Sequence, residues 1–204
     1  MHLVCLDLEG VLVPEIWITF SELVGIPEFS RTTRDEPDYN KLMLYRMDLL
    51  SRHNLKLVDI QRAIGIMEPL PGAYEFLKAL REKTQVIILS DTFQEFAWPL
   101  MAKLSYPTLF CNQIKTDLSG AVSSYVLRQE SGKKSAVKAF KSLNYMVFAA
   151  GDSFNDLEML KEAHSGCLFR APSAIKKDHP GFYTTDSFAE LSEKIDLFLA
   201  DNFS

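Results

Sequence analysis

The stretch Val4–Glu15, "VCLDLEGVLVPE", decides how the rest of the chain is read. An apolar run of strand character, "HLVCL", leads straight into Asp7 and Glu9, with Gly10 following. A bare carboxylate at the end of a buried strand is costly unless a cation or hydrogen-bond donors compensate it. The two acids therefore belong to a site that needs them, or they lie in a solvated loop. The other strands separate these alternatives.

Three more apolar runs follow: "QVIILS" (Gln85–Ser90), "YMVFAAG" (Tyr145–Gly151) and the shorter "GCLFR" (Gly166–Arg170). They are nearly continuous in apolar character, which suits a parallel sheet covered on both faces. Amphipathic helices alternate with them. "GAYEFLKALREK" puts Ala73, Phe76, Leu77 and Leu80 on one face, and "DLEMLKEAH" does the same with Leu157, Leu160 and Ala163. The expected fold is α/β, a doubly wound Rossmann-like parallel sheet. A hairpin is expected within residues 107–128, where "QIKTDLSGAVSSYVLR" turns on Ser-Gly.

Residues 14–68 break this rhythm. They hold three helical patterns, "IWITFSELVG", "YNKLMLYRMDLLSRH" and "VDIQRAIGIM", with a polar loop "SRTTRDEPD" after the first. The α/β pattern resumes after "EPLPG". The expected organisation is a small helical cap over residues 14–68, inserted after strand 1 of a core made of residues 1–13 and 69–204.

Composition bounds the function. The 204 residues can build one sizeable core with a small accessory lobe, and 47% hydrophobic with 24% charged residues is ordinary for a soluble globular protein. A net charge of -5 argues against nonspecific binding to nucleic acid or anionic membranes. No apolar run approaches the roughly 20 residues that span a bilayer, and Asp7 and Glu9 argue against a signal peptide. Cys5, Cys111 and Cys167 are odd in number and widely spaced, as expected of reduced thiols in the cytoplasm. No feature sets an oligomeric state.

In an open α/β sheet, ligands bind at the carboxyl ends of the strands. Those ends carry Asp7 and Glu9, then "SDT" (Ser90–Thr92), then "GDSFND" (Gly151–Asp156), while "GKK" (Gly132–Lys134) lies between. Each motif alone reads as a cap, a turn or a solvated charge. Together they place acids, a hydroxyl and a lysine at one edge. Two carboxylates about 4 Å apart repel by roughly 4 kcal/mol at an effective dielectric near 20. Asp7 and Asp152 at neighbouring strand ends therefore call for a cation, and hard oxygen ligands suit Mg²⁺. In "SDTFQE", Thr92 and Glu95 read as a capping box opening the next helix, whose N-terminus favours an anion beside Ser90. Such a set can cradle a phosphate, and a carboxylate nucleophile can split phosphoryl transfer through an aspartyl-phosphate.

"DLEGV", "ILSDT", the downstream lysine and "GDSFND" resemble, in order, the four motifs of the haloacid dehalogenase superfamily of phosphotransferases. The resemblance covers essentially the whole chain. It implies Asp7 as nucleophile and Glu9 as general acid/base, with the Glu9 backbone carbonyl, Asp7 and Asp152 on Mg²⁺. It implies that Ser90, with Asp91 beside it, binds the phosphoryl group and that Lys133, or else Lys134, neutralises the intermediate. Gly151, Asn155 and Asp156 would support the substrate and the lysine. Within the superfamily the cap is similar to that of phosphoserine phosphatases, which grip the substrate's amino and carboxylate groups with a Glu and a cap Arg. Glu15 and Arg46 match these, although Arg46 among Leu42, Met43, Met47, Leu49 and Leu50 also reads as a snorkelling surface residue.

The superfamily's phosphatases usually carry Asp two residues after the nucleophile, where this chain has Glu9. "DLEGVLVPEIW", "LSDTF", "AFKSL" and "AAGDSFND" resemble the bacterial ThrH-type branch, which can also pass the phosphoryl group to homoserine. The expected partners are thus small molecules: phosphoserine, with homoserine as a further acceptor. Three alternatives stand beside this reading. One is a phospho-accepting receiver module, which the fifty-residue helical insertion opposes. Another is a phosphatase for a sugar or nucleotide phosphate, opposed by Glu15 and Arg46. The third is a binding protein on the same scaffold, opposed by the complete polar set.

Overall fold

The computed structural model describes residues 1–33, 35–36 and 38–201. Strands β1 (His2–Leu6), β2 (Gln85–Phe93), β3 (Thr108–Thr116), β4 (Val122–Val126), β5 (Met146–Gly151), β6 (Ser165–Phe169) and β7 (Tyr183–Thr185) form one sheet. Its order is β4-β3-β2-β1-β5-β6-β7. All neighbours pair in parallel except β3 and β4, which form the expected antiparallel hairpin. β1 lies between β2 and β5, so the three strands that end in polar motifs are adjacent, and their ends open at one edge.

The two faces of the sheet explain the continuous apolar runs. Leu3 and Cys5 of β1 join Val147 and Ala149 of β5 under α6 (Gly132–Ser142), α7 (Leu157–Glu162) and α8 (Ser173–Asp178). Val4 and Leu6 join Phe148 and Ala150 on the other face, under α4 (Ala73–Lys83), α5 (Gln94–Lys103) and α9 (Phe188–Ala200). Alternate residues point to opposite faces, so a strand covered on both must be apolar throughout.

Between β1 and α4 run α1 (Ile16–Val24), a 3₁₀ turn (Pro27–Ser30), α2 (Tyr39–Arg52) and α3 (Leu57–Ile66). Asp38 caps α2 by accepting from the Lys41 amide at 3.1 Å. Leu42, Met43, Arg46, Leu49 and Leu50 form the buried stripe of α2. The apolar faces of all three helices merge with the core under α5, where Trp17 meets Phe96 and packs with Phe20, which meets Phe29 in turn. The segment is also stitched to the rest of the molecule. Gln61 Nε2 donates to the Glu95 carbonyl at 2.9 Å, the Leu57 amide to the Gly120 carbonyl at 3.1 Å, and Tyr125 Oη to Asn40 Oδ1 at 2.6 Å. Of the polar loop expected between α1 and α2, Arg34 and Pro37 lie outside the described residues.

One local expectation fails. Thr92 does not cap α5: β2 continues to Phe93, and that residue occupies the N-cap without a side-chain bond. Glu95 accepts instead from the Ile114 amide of β3 at 2.8 Å. β2 has ended beside that part of β3, so a ladder amide without a strand partner takes the carboxylate from the helix. The short β7 is also additional to the expected strands.

Candidate active site

Asp7 continues β1 by one residue, its amide donating to the Ala150 carbonyl at 3.0 Å, and it is buried. The chain then turns back through Leu8, Val11, Leu12 and Val13, all fully buried, which fixes the loop to the core. The Gly10 amide closes the turn on the Val13 carbonyl at 2.8 Å. Gly10 has a φ of 74°, and a Cβ there would sit 2.4 Å from the Asp152 carboxyl carbon. Only glycine lets the first loop approach this acid. At Gly151 a Cβ would lie 2.3 Å from the Asp156 carboxyl carbon, so the end of β5 makes room for an acid in the same way.

Lys133, in the first turn of α6, is the cation of the cluster. Its Nζ lies 2.7 Å from Asp156 Oδ1, 2.9 Å from Asp7 Oδ1 and 3.7 Å from Asp91 Oδ2. Burial alone would lower its pKa, but Asp156, Asp7 and Asp91 outweigh that and hold it well above the usual lysine value. Lys134 faces outward and pairs with Glu158 at 2.8 Å. The structure thus brings Lys133, and not its neighbour, to the nucleophile candidate.

The acids outnumber this lysine. Oxygens of Asp7, Asp152 and Asp156 lie within 4.8 Å of one another, a group able to hold a metal ion. Asp156 is already committed. Its Oδ1 accepts from Lys133, and its Oδ2 accepts from the Asp152 amide at 3.0 Å, the Ser153 amide at 3.1 Å and Ser153 Oγ at 3.2 Å. Asp7 Oδ1 accepts from the Leu8 amide at 2.7 Å, while no described residue donates to its Oδ2. Asp7 and Asp152 are therefore the acids with oxygen left to offer, and the donor set fits a hard divalent ion. Burial and the neighbouring Asp156 push Asp152 up to about 7, with the Glu15 charge adding and Lys133 opposing. Asp7 is raised in the same sense by burial, then by Asp156 and Asp152, against the pull of Lys133.

Half-buried Glu9 sends Oε2 to the first amide of α1, Ile16, at 2.9 Å. Burial and the Glu15 charge push its carboxyl up to about 8, against the Ile16 bond, Arg46 and Lys133. Burial thus favours the protonated form of this carboxyl in the metal-free fold.

Ser90–Thr92 leave the β2–β3 ladder, whose register shifts between Leu89 and Phe93. The detour is pinned from outside: the Asp91 carbonyl accepts from Tyr39 Oη at 3.1 Å and from Asn112 Nδ2 at 3.0 Å. Ser90 Oγ accepts from the Thr92 amide at 3.2 Å. The result turns Ser90 and Asp91 toward the acids.

A cavity of about 100 Å³ joins these groups: Asp7, Glu9, Glu15, Arg46, Ser90, Asp91, Lys133, Asp152 and Asn155 all line it. Gly151 and Asp156 lie outside the lining, as supports. Arg46 does not snorkel. It is 6% exposed, its Nη2 donates to the Arg31 carbonyl at 2.7 Å, and its guanidinium lies over Trp17. Gly10, Trp17 and Tyr39 are additions that sequence reasoning did not place in the site. Gly10 stands next to the two acids in the sequence, whereas Trp17 carries no signal there beyond its place in a helical pattern.

Acids at three strand ends, with a buried lysine between the first and the last, define a phosphoryl-transfer scaffold. The chain belongs to the haloacid dehalogenase-like hydrolases, whose family model matches residues 1–164. It is 52% identical over 194 residues to the phosphoserine phosphatase ThrH of Pseudomonas aeruginosa, covering 95% of each chain. It is likewise 52% identical to a phosphoserine phosphatase of Pseudomonas syringae, over 95% of this chain and 82% of that one. Among solved structures, a phospho-aspartyl intermediate analogue of phosphoserine phosphatase shares the fold, with a TM-score of 0.77 at 18% identity over 95% of this chain and 98% of that one. Among the described residues no helix is long and apolar enough to cross a membrane.

Proposed function

We propose that the protein is a Mg²⁺-dependent phosphoserine phosphatase that works through a phosphorylated Asp7, and that it also transfers the phosphoryl group to homoserine. The observation that carries the substrate assignment is Arg46, a buried guanidinium in the same cavity as Asp7 with no carboxylate within 4 Å among the described residues. A buried charge of this kind is costly until an anion joins it. The substrate carboxylate supplies that anion, and Glu15 receives the ammonium group. The two relatives named phosphoserine phosphatase support the reading.

In the first half-reaction Asp7 Oδ2 attacks phosphorus, and the phosphorus–oxygen bond to serine breaks. The seryl oxygen takes its proton from Glu9, and serine leaves. Lys133, Ser90 and Asn155 hold the phosphoryl oxygens. In the second half-reaction Glu9, now ionised, removes a proton from water as that water attacks phosphorus, which frees Asp7 and releases phosphate. Asp7, Asp152 and the Glu9 carbonyl would hold Mg²⁺, which supplies neutralisation of phosphoryl charge. Residues 14–68 act as the cap over a core of residues 1–13 and 69–204. The three free thiols fit a cytoplasmic enzyme.

Homoserine would take the place of water in the second half-reaction. Glu9 is one methylene longer than Asp, so the basic oxygen stands further from the backbone and favours a bound alcohol over water. Glu9→Asp is expected to raise hydrolysis over transfer several-fold, while an unchanged ratio removes this explanation. The decisive experiment is incubation with phosphoserine and Mg²⁺, with and without homoserine, followed by phosphorus NMR. Inorganic phosphate supports the phosphatase, O-phosphohomoserine supports transfer, and neither product overturns the assignment.

A further inference from the structure

We infer that Trp17 is a positioning residue for substrate recognition: its indole face, in place of an acid, holds the Arg46 guanidinium ready for a ligand carboxylate. The inference rests on the reading of Arg46 as the carboxylate clamp. Arg46 Cζ lies 4.5 Å from the Trp17 ring centroid. Its hydrogen-bond partners among the described residues are the Arg31 carbonyl and, at 3.9 Å, the sulfur of Met43, both uncharged. Its Nε is buried with no hydrogen-bond partner among the described residues.

The choice of an aromatic partner has a chemical consequence. An acid in that place would neutralise the guanidinium and compete with any incoming carboxylate. The π face orients the cation without cancelling its charge. Burial pulls the Arg46 guanidinium down to about 10, against the opposing pull of Glu9, Tyr39 and Glu15, and neither carboxylate makes a direct pair with it. The indole itself cannot drift. Phe29 stacks on it at 5.9 Å and 22°, while Phe20 at 5.9 Å and Phe96 at 5.4 Å meet it edge-on. Arg46 is thus fixed by a face that is fixed by three more rings.

The test grades the π face without changing its shape. The protein has two tryptophans, and Trp98→Phe removes the exposed one. In that background, 5-fluoro- and 5,7-difluorotryptophan replace Trp17. KM for phosphoserine is expected to rise stepwise, by about 3-fold and about 10-fold, because fluorine withdraws charge from the ring face. Phosphoethanolamine has the same phosphate and amine but no carboxylate, so its KM should change far less than that of phosphoserine, and the effect on phosphoserine should fall on KM more than on kcat. Trp17→Leu is expected to raise the phosphoserine KM about 10-fold or more, with Trp17→Phe recovering part of the loss. Equal changes for the two esters, or no change on fluorination, overturn the assignment. Arg46→Ala separates this failure from a deeper one. Should that change weaken both esters alike, the carboxylate-clamp reading itself falls. Should it act on phosphoserine alone while fluorination does nothing, only the role of Trp17 falls.

Discussion

Two cations are buried beside the same cavity, and they are held in opposite ways. Lys133 is caged by Asp7, Asp156 and Asp91. Arg46 is held by an indole, a thioether and a backbone carbonyl, with no acid in contact among the described residues. The first arrangement satisfies the cation within the protein, so it organises the acids around it before any ligand arrives. The second leaves the charge without an acid beside it among the described residues, which is why we propose that a substrate carboxylate completes it. On the proposed reading, one cation serves chemistry common to phosphate esters, and the other selects among them.

The largest effect should come from the acid that shares Lys133. Asp7→Asn removes the attacking oxygen's charge, and phosphate release is expected to fall by about 10⁴-fold or more, since a neutral amide cannot form the covalent intermediate. Turnover that survives this change breaks the account of the cage. Lys133→Ala should cost about 10²–10³-fold in kcat for phosphoserine and phosphoethanolamine alike, because a preorganised charge at the phosphoryl group is lost. It should also lower the melting temperature by several degrees, since removing one partner of a buried pair strands the acids. The same change at the exposed Lys134 should leave both quantities nearly unmoved. Arg46→Ala sharpens the contrast: a loss in kcat/KM on the order of 10²-fold for phosphoserine, and about 2-fold for phosphoethanolamine, reflects a charge-assisted bond made only to the carboxylate.

A smaller effect concerns pH. Asp152 is pushed up to about 7 and Glu9 up to about 8 in the metal-free fold, against about 3.9 and about 4.3 in an unfolded chain. The native state therefore binds more protons than the unfolded state between these limits. The stability these groups contribute is fully present below about pH 4 and is lost as pH rises to about 8. Melting curves in chelator should accordingly shift downward from pH 5 to pH 8. Added Mg²⁺ should flatten the trend by favouring the ionised acids. A trend that is identical with and without the ion counts against Asp7 and Asp152 as its ligands.

The strands were legible because a doubly covered sheet writes itself as continuous apolar runs, and the site because those runs end in acids. What the sequence hid was non-local. Thr92 and Glu95 have the spacing of a capping box, yet the amide of Ile114, which strand pairing brings alongside, took the carboxylate. Lys133 and Lys134 are adjacent in the chain, but one residue of helix turns them about 100° apart, and only the fold decides which faces Asp7. Arg46 on an apolar stripe favours the clamp reading but leaves snorkelling beside it, and its burial over Trp17 removes the second. β7 has three residues, too few for its pattern to stand out.

The bond from Glu9 to the Ile16 amide ties the first turn of α1 to the proposed proton carrier. A hydrogen taken up on that same oxygen would compete with the amide for its lone pairs. Trp17 is the next residue along that helix, so the ring over Arg46 lies one peptide from the amide that Glu9 holds. On the proposed reading, the group that carries the proton and the face that steadies the clamp share a single turn of backbone.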